Sequence, residues 1–402
     1  MYGVVSCTTH SIAAVLQQQK KGAIVIGVTL SYLSALDVVR ILRANGVNIR
    51  GLEPIRLVNP LPWVGERWVP STFADSRWQW SVPSKNNHLH VMVPDHAHRI
   101  QMENVESRVQ LAGMPAGSVL WLDECTSVVC PELLFLQMAK VLSLPALVML
   151  GYEFCGHFSR DAWEPIEGPI KMELPSATSV DSIQKYISTL RHVPGIAKAK
   201  KALQFIADHA MSAPEALLAA VYSLPSSECG YGLGPIILNE RIPTLVSTAA
   251  DAKRNRYPDL LFSFAPLGIN YEGENHLDLK GLLKLLRQII FCGEEDRAAL
   301  IAKLDDKMKE VRQKYVDDIV RNRQLMAEGR IVLPVTKEDL YKADFLDDLT
   351  WSILACAQNI FGIDTTAYER TLENTELARD RNEFIASFLP GRGRRTSSHG
   401  KA

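Results

Sequence analysis

Two short apolar runs in this chain end in acids whose spacing suits metal-assisted attack on phosphorus. Asp259 stands in Tyr257-Pro258-Asp259, and thirteen residues beyond it comes Glu272-Gly273-Glu274, followed by His276. The run RYPDLLFSF reads as a strand entered through a proline, and LGINYEGENH as a neighbouring strand ending in a glycine. Alternation along the second strand points Asn270, Glu272 and Glu274 to one face. Paired as a hairpin, the strands would bring Asp259 and Glu272 together on a divalent cation. Mg²⁺ suits such a pair, because it binds to one or two carboxylates and keeps several waters. An ion so held can activate water for attack on phosphorus. The plainer reading of the same residues is a β-hairpin with solvated acids at its rim.

These strands need elements to hold them. Upstream, Ser212-Ala-Pro-Glu215-Ala-Leu217-Leu has a serine to cap a helix, a proline in its first turn and a glutamate at the third helical position, the form of a capping box. Downstream, the segment from Asp318 to Leu340 reads as a helix stopped by Gly329, a strand, and a new helix starting at Thr336. Asp318 and Arg321 lie three apart on one helical face, where they can pair and point together at a site. The order is therefore helix, strands, helix, strand.

That order and these residues resemble the very-short-patch-repair-like branch of the PD-(D/E)xK, or restriction-endonuclease-like, nuclease superfamily. Members show S-x-x-E-x-x-L on the first helix, P-D on a strand, E-x-D-G-x-x-H on the next, then D-x-x-R-x-x-x-L-x-x-x-G-x-x-V. Ser212, Glu215, Leu218, Pro258, Asp259, Gly273, His276, Asp318, Arg321, Leu325, Gly329 and Val332 fall on that pattern. The match covers roughly residues 200 to 350, and its specificity lies in order and spacing rather than in any one piece. The resemblance implies DNA as substrate and Mg²⁺ held by Asp259 and Glu272. Glu215 would orient a water or a second ion, and His276 would assist proton transfer. Arg321 would neutralise phosphate charge or hold Asp318.

The chain departs from the family in three places. Asn270 stands where the family has the glutamate of E-x-D-G, and Glu272 where it has the aspartate. A second register, with Glu272 as ligand and Glu274 in the lysine's place, leaves no cation for the transition state. About forty residues separate His276 from Asp318, a longer connection than the family's.

With 402 residues, 47% of them hydrophobic and 22% charged, the chain has the composition of a soluble globular protein of two or three domains. A net charge of −1 provides no global basic field, so any nucleic-acid affinity must come from local patches. Seven scattered cysteines, an odd number, without a C-x-x-C pair point to free thiols in a reducing cytoplasm. The most apolar stretch, around Val141 to Gly151, is interrupted by Pro145 and too short to span a bilayer, and MYGVVSCTTH does not have the form of a secretory signal, so no membrane partner is expected.

The expected fold is α/β: an amino-terminal α/β module over 1–165, a connector over 166–198, and a restriction-endonuclease-like domain with a mixed central sheet flanked by helices over 199–389. In the first module, Ala23 to Leu30 is an apolar run, SYLSALDVVRILRANG a helix ended by Gly46, and His88 to Val93 and Ser118 to Leu122 are strands. CTSVVC then leads to a helix from Pro131 to Leu144, and a further apolar stretch runs to Gly151. CPELLFLQMA and LGYEFCG resemble the leader that precedes this nuclease-like domain in a set of actinobacterial proteins. That leader also resembles relatives of type IV toxin–antitoxin antitoxins, although no convincing helix-turn-helix accompanies it here. A helical insertion at about 278–316 has apolar spacing in LLKLLRQII and RAALIAKLDDKMKEVRQKY and offers a surface for a protein partner. The last residues, 390–402, form a basic tail expected to be disordered and able to touch a nucleic-acid backbone.

Other features carry less. His88, His90, His96 and His98 lack the ligand logic of a zinc site. Trp63, Trp68, Trp78 and Trp80 could stack on bases, but an aromatic loop packed on the core is the simpler account. Cys125 and Cys130 have the apolar surroundings of inert buried thiols. CGYGLGPI, residues 229 to 236, reads as a tight turn before a strand rather than a phosphate loop, since it has no lysine. Three functions follow: a Mg²⁺-dependent DNA endonuclease; a catalytically silent regulator of antitoxin type that binds DNA or protein through the same fold, with Asn270 in the place of a carboxylate; or a structural partner that docks through the insertion helices and has no nucleic-acid affinity.

Overall fold

The computed structural model describes residues 28–55, 84–111, 113–123, 126–244, 255–273, 278–342 and 344–392. The chain is α/β and divides into two compact units, Met1–Ala213 and Pro214–Ala402. The tryptophan-rich loop and Cys125, both singled out in the sequence, lie outside the described residues, as does nearly all of the basic tail.

In the first unit, β1 (Val28–Leu30) leads through Ser31 to helix α1 (Tyr32–Ala44). The helix ends where Gly46 takes φ +76°, a value that a side chain would strain. Strands β2 (Leu89–Val93), β3 (Val105–Val109), β4 (Val119–Trp121) and β5 (Thr126–Val129) complete a mixed sheet in the order β3-β2-β1-β5-β4. β1 and β5 run parallel at its centre. Both are wholly buried, as suits strands at the centre of a covered sheet. CTSVVC is thus not a connection but supplies the strand β5.

Helices α2 (Pro131–Met138) and α3 (Leu144–Cys155) each begin with proline in the first turn, where its missing N–H leaves nothing unpaired. The expected single helix to Leu144 stops at Met138, and Ser143 restarts the chain by accepting the Ala146 N–H. Every residue of α3 except Ala146 is buried, so the most apolar stretch of the chain is a core helix. The segment 166–198, read as a connector with a helix starting at its Ser/Thr cluster, does form that helix. It carries α4 (Val180–Thr189), which packs on α2, and the start of α5 (Ile196–Leu203), which packs on α3.

A buried ion pair ties α1 to α3. Arg40 donates Nε and Nη2 to Glu153 at 2.9 and 2.7 Å, and Arg43 donates to the Glu153, Gly156 and Pro175 carbonyls. Burial pushes the Glu153 carboxyl up, and the charge and paired hydrogen bonds of Arg40 overcome this and hold it below the ordinary carboxylate value. The Arg160 N–H and the Ser159 hydroxyl also bond Glu153.

The second unit begins with α6 (Ala213–Ser223), whose Ser212 stands in the cap position. A tight turn through Cys229, Gly232 and Gly234, all at positive φ, leads to β6 (Ile236–Leu238), as the sequence suggests. A small ribbon, β7 (Ile242–Pro243) with β8 (Asn255–Arg256), precedes β9 (Leu260–Phe262) and β10 (Leu267–Glu272). Helices α7 (Leu279–Phe291) and α8 (Glu294–Ala327) then carry the chain across to β11 (Ile331–Thr336).

The main sheet runs β11-β10-β9-β6, antiparallel across β6, β9 and β10 and parallel between β10 and β11. The backbones of β9 and β10 approach closely at Gly268, where a Cβ would stand 2.6 Å from the Leu260 carbonyl oxygen. Gly329, at φ +75°, stops α8, and Thr336 with Asp339 forms the capping box of α9 (Lys337–Tyr341). Helices α10 (Phe345–Phe361), α11 (Thr366–Leu372) and α12 (Thr375–Ser387) close the unit. The buried Arg381 of α12 is held by Asp347 at 2.7 Å and lies over the Tyr231 ring.

Glu153→Ala leaves Arg40 buried without its partner and is expected to destabilise the first unit by about 3–5 kcal/mol. Urea denaturation followed by circular dichroism checks this. Arg40→Met combined with Glu153→Leu is expected to recover most of the loss.

Candidate active site

Of the acids picked out by sequence, Asp259, Glu215 and Glu272 come near one another in the second unit. β9 and β10 pair antiparallel with Leu260 opposite Ile269, so the residue entering β9, Asp259, comes alongside Asn270 and Tyr271. Two hydrogen bonds fix it there. The Asp259 N–H donates to Asn270 Oδ1 at 3.0 Å, and Asp259 Oδ2 accepts the Tyr271 N–H at 2.6 Å. Asn270, only 3% exposed, is thus a buried clamp on the strand entrance. Its carbonyl oxygen is directed at a backbone N–H.

Glu215 reaches the same place from α6. It is buried, and Asn239 Nδ2 donates to its Oε2 at 3.3 Å. Asn239 follows β6 at φ +50° and also gives its N–H to the Asp259 carbonyl at 3.2 Å. It therefore spaces Glu215 from the Asp259 segment, a role with no signal in the sequence beyond an asparagine at a strand end.

Glu272, two residues beyond Asn270, is held by Arg321 of α8 through Nη2–Oε1 at 2.9 Å. The same Arg321 Nη2 lies 3.2 Å from Asp318 Oδ1, so the expected pairing within the helix forms and is shared with the strand. On the same helix, Asp317 and Gln324 take the buried Arg256, at 3.0 Å from Nη1 and 2.6 Å from Nε. Arg256, two residues before the Pro-Asp pair, was not singled out by sequence. It fixes the approach of β8 to α8 before the chain turns into β9. Leu325 and Val332 pack with Ile242 and Leu261 in a buried cluster, so these two motif positions hold the frame rather than the site.

The electrostatics follow from this crowding. Burial, then the neighbouring Glu215 carboxylate, push the Asp259 carboxyl up to about 7; Glu272 adds to the rise, while the Tyr271 N–H and Arg321 oppose it. Near neutral pH the Asp259 carboxyl is thus able to hold or release its proton. Such a site can take up a proton or a cation in its place. Glu274 and His276 lie outside the described residues, and within those described no group of three or more His, Cys, Asp or Glu is arranged to hold a metal ion.

Elsewhere, His88 and His90 turn toward Glu106, at 3.0 and 3.6 Å, and His98 pairs with Asp95. The Cys130 thiol is fully buried and pushed well above its ordinary pKa, as suits an inert core cysteine.

Compared with models of protein families, with curated proteins and with solved structures, the chain matches none.

The Asp259 carboxyl has a raised pKa, so in the folded state it keeps a proton that the unfolded chain releases between about pH 4 and 7. Its contribution to stability is present below pH 4 and is lost as pH rises through 7. Asp259→Asn removes the charge and keeps an acceptor for the Tyr271 N–H. It is therefore expected to raise the melting temperature at pH 8, with the gain over wild type shrinking as pH falls to 5. Thermal unfolding across that range measures it.

Proposed function

We propose that the second unit is a PD-(D/E)xK-type endonuclease that hydrolyses DNA phosphodiester bonds with Mg²⁺. The observation that carries this reading is the crowding of Glu215 and Glu272 around Asp259, with Arg321 as counter-charge. The order α6, β6, β9, β10, α8, β11 adds support, since it is the helix, strands, helix, strand order of the resemblance. The residues also fit the ion. Two carboxylates, Asp259 and Glu272, satisfy what Mg²⁺ asks of a protein, and a dication there would relieve the repulsion that raises the Asp259 pKa.

When bound, the ion would polarise the phosphoryl oxygens and lower the pKa of a bound water. Each protein group has its own work in this reading. Asp259 is oriented by the Tyr271 N–H and held in place by Asn270. Arg321 keeps Glu272 aimed from β10 while Asp318 steadies the guanidinium. Glu215, positioned by Asn239, would orient the attacking water. His276 is assigned proton transfer on the sequence pattern alone. The proposed substrate is duplex or single-stranded DNA, reached through local cations and the basic tail.

A second reading has its own observation. Asn270 directs its oxygen to a backbone N–H, and Glu272 is engaged by Arg321, so the pair most altered from the family pattern serves structure. On that reading the unit binds DNA or a protein partner as a silent, antitoxin-like regulator.

The full chain, incubated with plasmid and short DNA in Mg²⁺ or EDTA, is expected to cleave only with metal. Asp259→Ala should lower the rate by about 100-fold or more. In parallel, Mg²⁺ is expected to raise the melting temperature of wild type at pH 8 and leave Asp259→Ala unmoved. DNA retained on a gel without cleavage by wild type would favour the silent regulator.

A further inference from the structure

The first unit carries a block of chain without acids. Residues 133–152 and 182–207 contain no Asp or Glu and hold Lys140, Lys185, Arg191, Lys198, Lys200 and Lys201. The block is contiguous in space, because α4 packs on α2 and α5, and α5 packs on α2 and α3. In a chain of net charge −1 it makes a local positive field.

The turn between α4 and α5 gathers these cations at one end of α5. Arg191 and His192 are exposed in it, and it closes at Gly195 with φ +96°. Gly195 lies against the end of α2: a Cβ there would stand 3.2 Å from the Leu136 carbonyl oxygen and 3.4 Å from Lys140 Cγ. Lys140 is thereby placed beside the start of α5. The buried residues of α5 are Ala199, Ala202 and Leu203. At about 100° per residue, Lys198, Lys200 and Lys201 all fall within about 90° of the direction opposite to these. Cα–Cβ bonds tilt toward a helix's amino terminus, which directs Lys200 and Lys201 back toward the turn.

Two of the cations are engaged within the chain. Lys185 is paired with Asp181 at 2.6 Å, and Lys198 Nζ donates to the Leu142 carbonyl at 2.9 Å. Lys140, Arg191 and Lys200 are exposed and form no ion pair among the described residues. No acid stands in the first turn of α5, so the partial positive charge of its amino terminus adds to theirs.

Charge rather than apolar area therefore defines the partner. A helix on a membrane needs an apolar face to bury, and a protein interface an apolar core. Of the large apolar residues in this block, only Val141 is exposed. A polyanion held by its phosphates asks for clustered Lys and Arg.

We propose that the α4–α5 turn and the outward side of α5 hold the sugar–phosphate backbone of a nucleic-acid duplex, with Lys140, Arg191, Lys200 and Lys201 on its phosphates. The contact reads no bases, and it does not depend on whether the second unit cleaves what is bound.

Fluorescein-labelled DNA duplexes of two unrelated sequences, and an RNA duplex, titrated with the full chain in EDTA and followed by anisotropy, test this. Wild type is expected to bind both DNA sequences alike, with log K falling linearly as log salt rises. Lys140→Gln with Arg191→Gln, and separately Lys200→Gln with Lys201→Gln, should each weaken binding about tenfold or more and lower the salt slope by about two. Lys200→Arg with Lys201→Arg keeps the charge and should bind as wild type. The basic tail is common to all variants, so the differences report on this face alone, and EDTA makes the result independent of cleavage. All four replaced side chains are exposed, and an unchanged melting temperature shows that each variant is folded. An RNA duplex bound in place of DNA would keep the proposal and name RNA as the partner. Wild type that binds no duplex, variants that keep its affinity and slope, or a strong preference for one DNA sequence would overturn it. So would variants that lose affinity for phosphatidylserine vesicles when no duplex is bound.

Discussion

Asp259 is joined to β10 twice, by its own N–H to Asn270 and by its carboxylate to the Tyr271 N–H. These two bonds set which residues of β9 and β10 face one another beyond their two paired positions. Because side chains alternate along a strand, the register of β10 decides whether Glu272 joins the acids or turns to the opposite face. The clamp at Asn270 therefore governs the whole cluster. A carboxylate at Asn270 would be an acceptor too, but a charged one next to Asp259, Glu215 and Glu272. The neutral amide gives the same backbone contact without a further repelling charge.

Burial, and after it the nearness of Glu215, raises the Asp259 pKa to about 7. Arg321 offsets part of that repulsion. It sits on α8, so the same guanidinium that balances the acids also fastens the crossover helix to the sheet. Arg256 does similar work on the same helix with Asp317 and Gln324. Frame and site in the second unit are held by the same interactions, and a change at Arg321 would be felt in both.

The two units solve the burial of charge differently. In the first, Glu153 is wholly enclosed, and Arg40 and neighbouring backbone N–H groups satisfy it, so its carboxyl stays ionised. In the second, Asp259 has one N–H and a shared guanidinium against two neighbouring acids, and it is held partly protonated. The first arrangement is a rivet between helices. The second is a carboxyl able to exchange its proton near neutral pH.

Much of this was present in the sequence because it is local. Proline entering β9, Gly329 ending α8, the helix start at Thr336 and the apolar run of β10 each act through their own neighbours along the chain, and each formed where expected. The i, i+3 pair of Asp318 and Arg321 is likewise a property of one helix. The strand in CTSVVC, the strand Val105–Val109 and the packing of 166–198 onto the first unit were not legible, since short buried strands and helix docking depend on partners far away in sequence. Nor could spacing alone show that Asn239 joins Glu215 to Asp259, that Arg256 anchors α8, or that Asn270 turns its oxygen to a backbone N–H. Those facts belong to tertiary structure, because a hydrogen bond across a sheet depends on register and docking, and the chain acquires these only when distant segments bury their apolar faces together.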